Sequence, residues 1–286
     1  MAGEKMRAAV GMQPEWLAQV PTGKRLPDGR TVHVGAGTSF HAAQTGGDAL
    51  QSLEAVLAPP DADLLVLVSH EGGTALTLEA ARAFAGPKWL VTGKADSPIA
   101  ALCDEVVVCT PEVEESFCHT ASYTCAVAAL AALCGEEIAD LPGRGRAVLE
   151  EEPWPVSQHE RWLVAGAGRD WPTAQEASLK LREGTFVAAE AHETEQLLHG
   201  HLAAVDETVR CFVLEGEGRA AERARAAAAA LEALQCDVTL VRTEHPVVDI
   251  VRFHRLTLDL AAARGVDPDL IRRDDERWKR AAAAHG

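Results

Sequence analysis

Three charged side chains recur at helical spacing in the stretch AQEASLKLREG (174–184). Glu176, Lys180 and Glu183 are four and three residues apart, so a helix places them on one face. Spacing alone is more typical of a solvated helix face carrying a Glu–Lys pair. The preceding strand and Gly-rich turn favour a different interpretation, because a helix that follows them begins at the carboxyl edge of a sheet, where α/β proteins bind ligands.

A second stretch with chemical potential is SHEGGT (69–74), which lies between the apolar run LLVLV (64–68) and the helical pattern ALTLEAARAFAG (75–86). A Gly-rich turn between a strand and a helix binds anions, because free backbone N–H groups and the helix dipole point into it. Glu71 lies in the middle of this turn with the same charge as the expected ligand. The sequence therefore predicts an anion site and also raises the question of what its carboxylate does there.

Composition excludes several classes of function. The chain has 286 residues and a formal net charge of −16, a charge that repels nucleic-acid phosphates and disfavours nucleic-acid binding. No apolar run approaches the roughly 18 residues that a membrane span needs, and the N-terminal stretch lacks the pattern of a signal peptide. We therefore expect no membrane partner.

The cysteine pattern predicts a reducing compartment. Seven cysteines are scattered along the chain without a CxxC pair, so the spacing indicates neither a zinc ribbon nor a thioredoxin motif. We interpret them as reduced thiols, mostly core residues, in a cytoplasmic protein. The histidines show no metal-ligand spacing either, and we predict neither a metal nor a cofactor.

The order of the predicted elements repeats along the chain. Residues 31–53 and 161–184 each read as a strand, a Gly-rich turn and a helix, and further strands and helices alternate after both. This alternation predicts an α/β protein with parallel sheets. Neither turn completes GxGxxG, which disfavours a dinucleotide-binding fold. The Gly- and Pro-containing stretch 135–160 predicts a helix followed by an inter-domain linker. This gives an N-terminal helical segment (1–24), a first domain (25–145) and a second domain with a C-terminal tail (155–286).

Five segments in this order resemble one protein family. They are GAGTSFHAA (35–43), SHEGGTALT (69–77), HTASYTCAVAALAAL (119–133), GAGRDWPTAQEASLKLREGTFVAAEAHETEQLLHGHLA (166–203) and LAAARGVDPD (260–269). Together they resemble the double sugar-isomerase (SIS) domain proteins, which include the isomerase half of glucosamine-6-phosphate synthase and stand-alone phosphosugar isomerases and deglycases. The resemblance implies two flavodoxin-like SIS subdomains, each a parallel sheet flanked by helices, in a homodimer whose sites are shared between subunits.

The resemblance also implies roles for the charged helix. Glu183 matches the base that moves a proton between C1 and C2 of the sugar, and Glu176 and Lys180 match residues that support the base and the substrate. His199, in LLHGHLA, matches a histidine that opens the sugar ring from the neighbouring subunit. His201 replaces the proline of the family pattern, so the choice between these two histidines stays open. The alternative for His199 is a residue that merely ends a turn.

The substrate-binding residues implied by the resemblance come from three stretches: Gly37, Thr38 and Ser39; Ser69, His70, Glu71, Gly72 and Thr74; and Thr120 and Ser122. Thr120 and Ser122 are as well explained as a helix N-cap. Glu71 takes the place of a family serine that contacts phosphate, and three interpretations stay open. The carboxylate turns away and phosphate still binds, or it accepts hydroxyls of a sugar without phosphate, or it meets a cationic group of the substrate.

The C-terminal tail departs from the family pattern. Glu276 aligns with a family lysine that forms a Schiff base with a ketose, and Lys279 follows three residues later. Imine chemistry is therefore in doubt, and a plain isomerisation is simpler. The sequence predicts an aldose–ketose isomerase acting on a sugar phosphate or a related amino sugar. The alternatives are a deglycase or deaminase of an amino sugar, and a SIS regulator that senses a sugar without turnover.

Overall fold

The computed structural model describes residues 2–284, and its strands form two parallel sheets flanked by helices. Met1, the first residue of the predicted segment 1–24, and residues 285–286, the last of the predicted segment 155–286, lie outside the described residues. The strands are β1 (Thr31–Gly35), β2 (Ala49–Gln51), β3 (Leu64–Val68), β4 (Lys88–Thr92), β5 (Glu105–Val108), β6 (Arg161–Gly166), β7 (Ala188–Glu193), β8 (Val209–Glu215) and β9 (Asp237–Arg242).

The α-helices of the described chain lie between the strands and at both ends. They are α1 (Glu4–Leu17), α2 (Thr38–Thr45), α3 (Ser52–Leu57), α4 (Ala75–Ala83), α5 (Ala121–Leu133), α6 (Leu141–Glu150), α7 (Trp171–Thr185), α8 (Thr194–Leu198), α9 (Gly218–Ala233), α10 (Pro246–Arg264) and α11 (Glu276–Ala284). Within residues 2–284, none of these helices combines the length and the apolar character that crossing a membrane requires.

The first sheet has the strand order β2-β1-β3-β4-β5, and every neighbouring pair is parallel. This is the flavodoxin-like order, in which ligands bind at the carboxyl ends of the strands near the point where the order reverses. That point lies between β1 and β3, whose following turns carry GAGTS and SHEGGT. Every residue of the central strand β3 is buried, as its continuous apolar sequence predicts.

The second sheet has the order β7-β6-β8-β9 and is also parallel throughout. It repeats the first four positions of the first sheet, which confirms the repeated pattern and the α/β fold predicted from the sequence. β2 and β7 were not expected from the sequence. Both are edge strands, and β7 has the sequence AAEAHE, which lacks the β-branched and aromatic residues typical of strands.

The two halves share one hydrophobic core. Helix α5 is buried along its whole length, and the main core cluster draws residues from both sheets and from α5, α7 and α10. Trp154, in the predicted linker, packs its ring 4.9 Å from that of Phe212 and 5.1 Å from that of Phe253. Helix α7 therefore lies between the halves, in contact with α10 on one side and with α2 of the first half on the other.

Candidate functional site

Helix α7 carries the three charged side chains that the sequence singles out. Pro172 stands in its first turn, where a missing N–H costs little, and Phe186 ends the helix with a left-handed backbone. Glu176 and Lys180 are both fully buried, and the side chain of Glu183 is 24% exposed. The solvated face favoured by spacing alone is therefore wrong, because this face of α7 turns toward the first half of the chain.

The three side chains form a continuous chain of ion pairs. Lys180 Nζ lies 2.6 Å from Glu183 Oε2 and 3.4 Å from Glu176 Oε1. A charge buried this deeply is tolerated only when it is paired and hydrogen-bonded. Only Glu183 of the three reaches solvent. Its carboxylate therefore lies at the surface of the site, where the buried ammonium of Lys180 holds it in place.

The first half of the chain completes this network. Thr38 Oγ1 donates to Glu176 Oε1 at 3.2 Å and accepts from Lys180 Nζ at 3.1 Å. His41 Nδ1 lies 2.7 Å from Glu176 Oε2. Both residues stand on α2, directly after β1. The structure therefore brings Thr38 together with Glu176 and Lys180 of α7, although the chain separates them by more than 130 residues.

The protonation of Lys180 follows from its partners. Burial works to lower the pKa of the Lys180 ammonium, but the carboxylates of Glu176 and Glu183 outweigh it and raise the pKa above its ordinary value. Lys180 is thus a fixed positive charge. This charge holds the Glu183 carboxylate in place. Imine formation would need a neutral amine instead.

The SHEGGT turn is shaped by one glycine. Gly72 has φ +64°, and a Cβ at this position would lie 2.1 Å from Ser97 Oγ, so a side chain is excluded. The hydroxyls of Ser69 and Thr74 lie 3.3 Å apart on the two sides of the turn. The N–H groups of Glu71, Gly73 and Thr74 donate to no other described residue. They remain available at the N-terminus of α4, as an anion site requires.

The structure separates Glu71 from the interior of this turn. Glu71 is exposed, and no hydrogen bond or ion pair joins its carboxylate to another residue of the 2–284 stretch. Its neighbour His70 points inward instead, where its Nε2 accepts from the N–H of Glu114 at 3.0 Å. Of the three interpretations of Glu71, this orientation favours the one in which the carboxylate turns away.

His70 lines a small cavity at the carboxyl edge of the first sheet. The cavity has about 20 Å³ of free space, enough for a water molecule. Its polar lining comes from Thr38 and Ser39 on α2, His70 and Thr92 at the carboxyl ends of β3 and β4, and His119, Ser122 and Tyr123 around the start of α5. Gly37, the N-cap of α2, has φ 55° and no atom within 4 Å of the place of a Cβ. The two predicted turns therefore meet at one site.

Thr120 and Ser122 are held by a residue that sequence reasoning missed. Their hydroxyls donate to the carboxylate of Glu114, at 2.9 Å and 2.6 Å. Glu114 also accepts from the backbone N–H groups at the start of α5, including those of Thr120 and Ser122 at 2.8 Å each. A buried carboxylate at a helix N-terminus is favoured by the dipole and by these bonds. The predicted substrate contacts of both hydroxyls stay a prediction.

The predicted ring-opening histidines lie apart from this network within one chain. His199 is 73% exposed, and its Nε2 contacts Glu195 Oε1 at 2.9 Å. The ring of His201 packs 4.5 Å from that of His192. Neither histidine contacts the charged residues of α7 in the described chain. A histidine on the surface is what a contribution to a neighbouring subunit requires, and this role also stays a prediction.

The C-terminal tail reaches the first half near His119. Asp269 accepts from the backbone of Met6 at 2.7 Å and from Ser116 Oγ at 3.1 Å, which fixes the start of the tail. The guanidinium of Arg273 then stacks 4.0 Å over the ring of Phe117. Lys279 is exposed on α11 and pairs with Glu276 at 2.7 Å. The tail thus brings an arginine, rather than a lysine, toward the site.

Three residues that sequence reasoning did not assign therefore contribute to the site: His41, Glu114 and His119. His41 lies three residues after Thr38 on the same helix, so the helical period is the signal that links it to α7. Glu114 and His119 flank the start of α5, where an acidic residue ahead of a helix suggests capping. Within residues 2–284, no group of three or more His, Cys, Asp or Glu side chains has the arrangement of a metal site.

Comparison with known proteins assigns the second half to a family. Residues 156–268 match the SIS domain model. A glutamine–fructose-6-phosphate aminotransferase [isomerizing] from Pyrobaculum aerophilum is 25% identical over 321 aligned positions, which cover 91% of this chain and 53% of the relative. The chain spans about half of that relative's length, and 16% of the length of a relative from Xanthomonas campestris.

Two solved structures resemble the fold of the whole chain. The C-terminal domain of glucosamine-fructose-6-phosphate aminotransferase from Francisella tularensis has a TM-score of 0.77 at 20% identity, over 93% of this chain and 98% of that one. Glucosamine-6-phosphate deaminase from Thermotoga maritima has a TM-score of 0.76 at 19% identity, over 93% and 97%. Identities this low show the fold alone. The SIS domain model thus matches the second half of the chain, and the whole chain shares the fold of these two structures.

Proposed function

We propose that this protein is an aldose–ketose isomerase of sugar phosphates, in which Glu183 transfers a proton between C1 and C2. The observation that carries the proposal is the Glu176–Lys180–Glu183 chain, which leaves a single carboxylate, that of Glu183, open to the site. Proton transfer between adjacent carbons needs one base that can take up a proton and return it without changing position. Lys180 provides this by holding Glu183 Oε2 at 2.6 Å.

The substrate's phosphate is placed at the SHEGGT turn in this proposal. The unpaired backbone N–H groups of that turn and the hydroxyls of Ser69 and Thr74 supply donors for an anion. The Glu71 side chain is exposed to solvent outside the turn. Water therefore screens most of the repulsion between its carboxylate and a bound phosphate. The relative and the first solved structure are named for enzymes that act on fructose 6-phosphate, which supports a ligand of this class.

Exchange of substrate hydrogen with solvent tests the proposal. Fructose 6-phosphate and glucosamine 6-phosphate are incubated with the protein in D2O, and deuterium at C1 and C2 is followed by NMR. Glu183→Gln keeps the shape but removes the base, so we expect exchange to fall about 10²- to 10⁴-fold. Glu232→Gln, an exposed position on α9, is the matched control and should retain the wild-type rate. Equal exchange by wild type and Glu183→Gln would refute the proposed role.

The same experiment separates isomerisation from loss of the amine. A deaminase would release ammonia from glucosamine 6-phosphate, which a coupled assay detects alongside the NMR spectra. The orientation of Glu71 removes one argument for an amino-sugar substrate, because the carboxylate does not face the cavity. We therefore expect deuterium exchange without ammonia release. Ammonia release at the rate of exchange would replace the isomerase by the deaminase.

A further inference from the structure

The cavity contains two imidazoles that the proton transfer at Glu183 does not use. The rings of His70 and His119 lie 5.0 Å apart and cross at 67°, and both line the space bounded by Thr38 and Ser39. Their positions differ in one respect. His70 has a hydrogen-bond partner on one ring nitrogen, whereas neither ring nitrogen of His119 bonds to another described residue.

The bond to Glu114 fixes the state of His70. Its Nε2 accepts from the backbone N–H of Glu114, so this nitrogen carries no proton and Nδ1 carries the proton of the neutral ring. Protonation at Nε2 would set two N–H groups against each other and break the bond. Burial lowers the pKa of His70 more than the electrostatic interactions with the carboxylates of Glu114 and Glu71 raise it. His70 is therefore neutral and can donate a hydrogen bond from Nδ1.

His119 is in the opposite situation. Burial, together with the electrostatic interactions with His70, Lys180 and Arg273, lowers the pKa of His119 to about 3, so its ring is neutral at pH 7. Its nitrogens are polar groups without a protein partner at the edge of a small cavity, and such groups are satisfied by water or ligand. A dianion bound at the SHEGGT turn, to which His70 belongs, would bring negative charge close to His119 and favour its imidazolium.

Resting on the proposed sugar-phosphate function, we propose that His119 takes up one proton from solvent as the phosphate group of the substrate binds, while His70 stays neutral and donates from Nδ1. No covalent bond changes in this step. The pair then selects a phosphate ester over the neutral sugar, because only the ester brings the charge that protonates His119. By linkage, binding of the ester tightens as pH falls, and binding of the neutral sugar does not.

Isothermal titration measures this linkage directly. Fructose 6-phosphate, fructose and inorganic phosphate are each titrated into the protein at pH 6.5, 7.25 and 8, in two buffers of different ionisation enthalpy. Phosphate esters lose their second proton near pH 6, so binding of the dianion releases about a quarter of a proton from the ester at pH 6.5 and almost none at pH 8, a contribution that is subtracted. For fructose 6-phosphate we expect fractional proton uptake that is largest at pH 6.5, and a dissociation constant that rises with pH by less than about tenfold per unit. For fructose we expect neither.

Two variants assign the proton. His119→Asn should abolish proton uptake and flatten the pH dependence of fructose 6-phosphate binding. His159→Asn, in the segment before β6, is the matched control and should retain both. Thermal unfolding confirms that each variant is folded. If His119→Asn does not fold, His119→Gln replaces it, and the wild-type measurement alone still decides whether a proton is taken up.

The outcomes separate this inference from the proposed function. Proton uptake that persists in His119→Asn, or binding of fructose 6-phosphate without proton uptake in the wild type, overturns the role of His119. Failure of both fructose 6-phosphate and inorganic phosphate to bind at millimolar concentration refutes the phosphate site itself. Proton-linked binding of fructose 6-phosphate without deuterium exchange at C1 or C2 supports the role of His119 and refutes the isomerase.

Discussion

Replacement of Lys180 by Met removes the cation on which the buried part of the site depends. The exposed fraction of Lys180 and of Glu176 is 0%, so the variant leaves the Glu176 carboxylate buried with only Thr38 and His41 as partners. Breaking one side of a buried ion pair costs about 3–5 kcal/mol. For a chain of this size each kcal/mol lowers Tm by roughly 2–4 °C, so we expect a drop of roughly 6–20 °C.

The destabilisation caused by Lys180→Met should depend on pH in a defined direction. Without the cation, no positive charge offsets the cost of burying the Glu176 side chain in its charged form. An acid whose folded pKa is raised stabilises the fold fully below the unfolded pKa, and the stability is lost as pH rises. Lys180→Met should therefore lie closer to wild type at pH 5 than at pH 8. Calorimetric unfolding at both pH values measures the difference.

Two further variants make the result decisive. Lys279→Met removes an exposed pair with Glu276 and should cost about 0.3–0.5 kcal/mol. Adding Glu176→Gln to Lys180→Met removes the buried carboxylate that has lost its cation. The double variant should therefore recover part of the lost Tm. A drop in Tm no larger than that of Lys279→Met, or a loss for Lys180→Met that is equal at pH 5 and pH 8, would refute the reasoning.

Three further predictions concern the loop, the helix cap and acid stability. Gly72→Ala should destabilise the fold by about 1–3 kcal/mol and weaken fructose 6-phosphate binding, because φ is +64° and the added Cβ meets Ser97 Oγ. Gly73→Ala is the control, since a Cβ there has open space, and thermal unfolding should show less than half of that loss. Glu114→Gln should lower the free energy of unfolding by about 1.5–3 kcal/mol in urea titrations, since it weakens charge-assisted bonds to the start of α5; no change would mean that neutral bonds suffice. Burial lowers the pKa of His245 to about 4 from an ordinary 6.5, so its contribution to the free energy of unfolding is present above pH 6.5 and lost as pH falls toward 4. In His245→Asn the urea midpoint should therefore depend less on pH across that range, and the same pH dependence as in the wild type would contradict the prediction.

The parallel sheets and the helical charged face could be predicted because local patterns specify them. The run LLVLV predicts a buried parallel strand, and the spacing of Glu176, Lys180 and Glu183 places them on one face wherever the helix lies. The edge strand β7 escaped prediction because AAEAHE owes its pairing to the neighbouring strand β6 and not to its own side chains.

The burial of the charged face could not be predicted from spacing, because it depends on a contact between distant segments. Thr38 and His41 approach Glu176 only after both halves have folded and α2 has packed on α7. The direction of Glu71 is a second example. Residue type places a carboxylate in the turn, but the left-handed backbone at Gly72 and the inward bond of His70 decide which side chain faces the cavity.

The contact between α2 and α7 bears on how such a chain arises. Each helix follows the first strand of its own half, so the two helices occupy equivalent places in the two repeats. A contact between equivalent surfaces is the one that a twofold-symmetric dimer of a single repeat would make. When two such repeats belong to one chain, the two helices need not carry the same residues. One of them can then retain the small hydroxyl of Thr38, while the other accumulates the carboxylates and the ammonium that the hydroxyl holds in place.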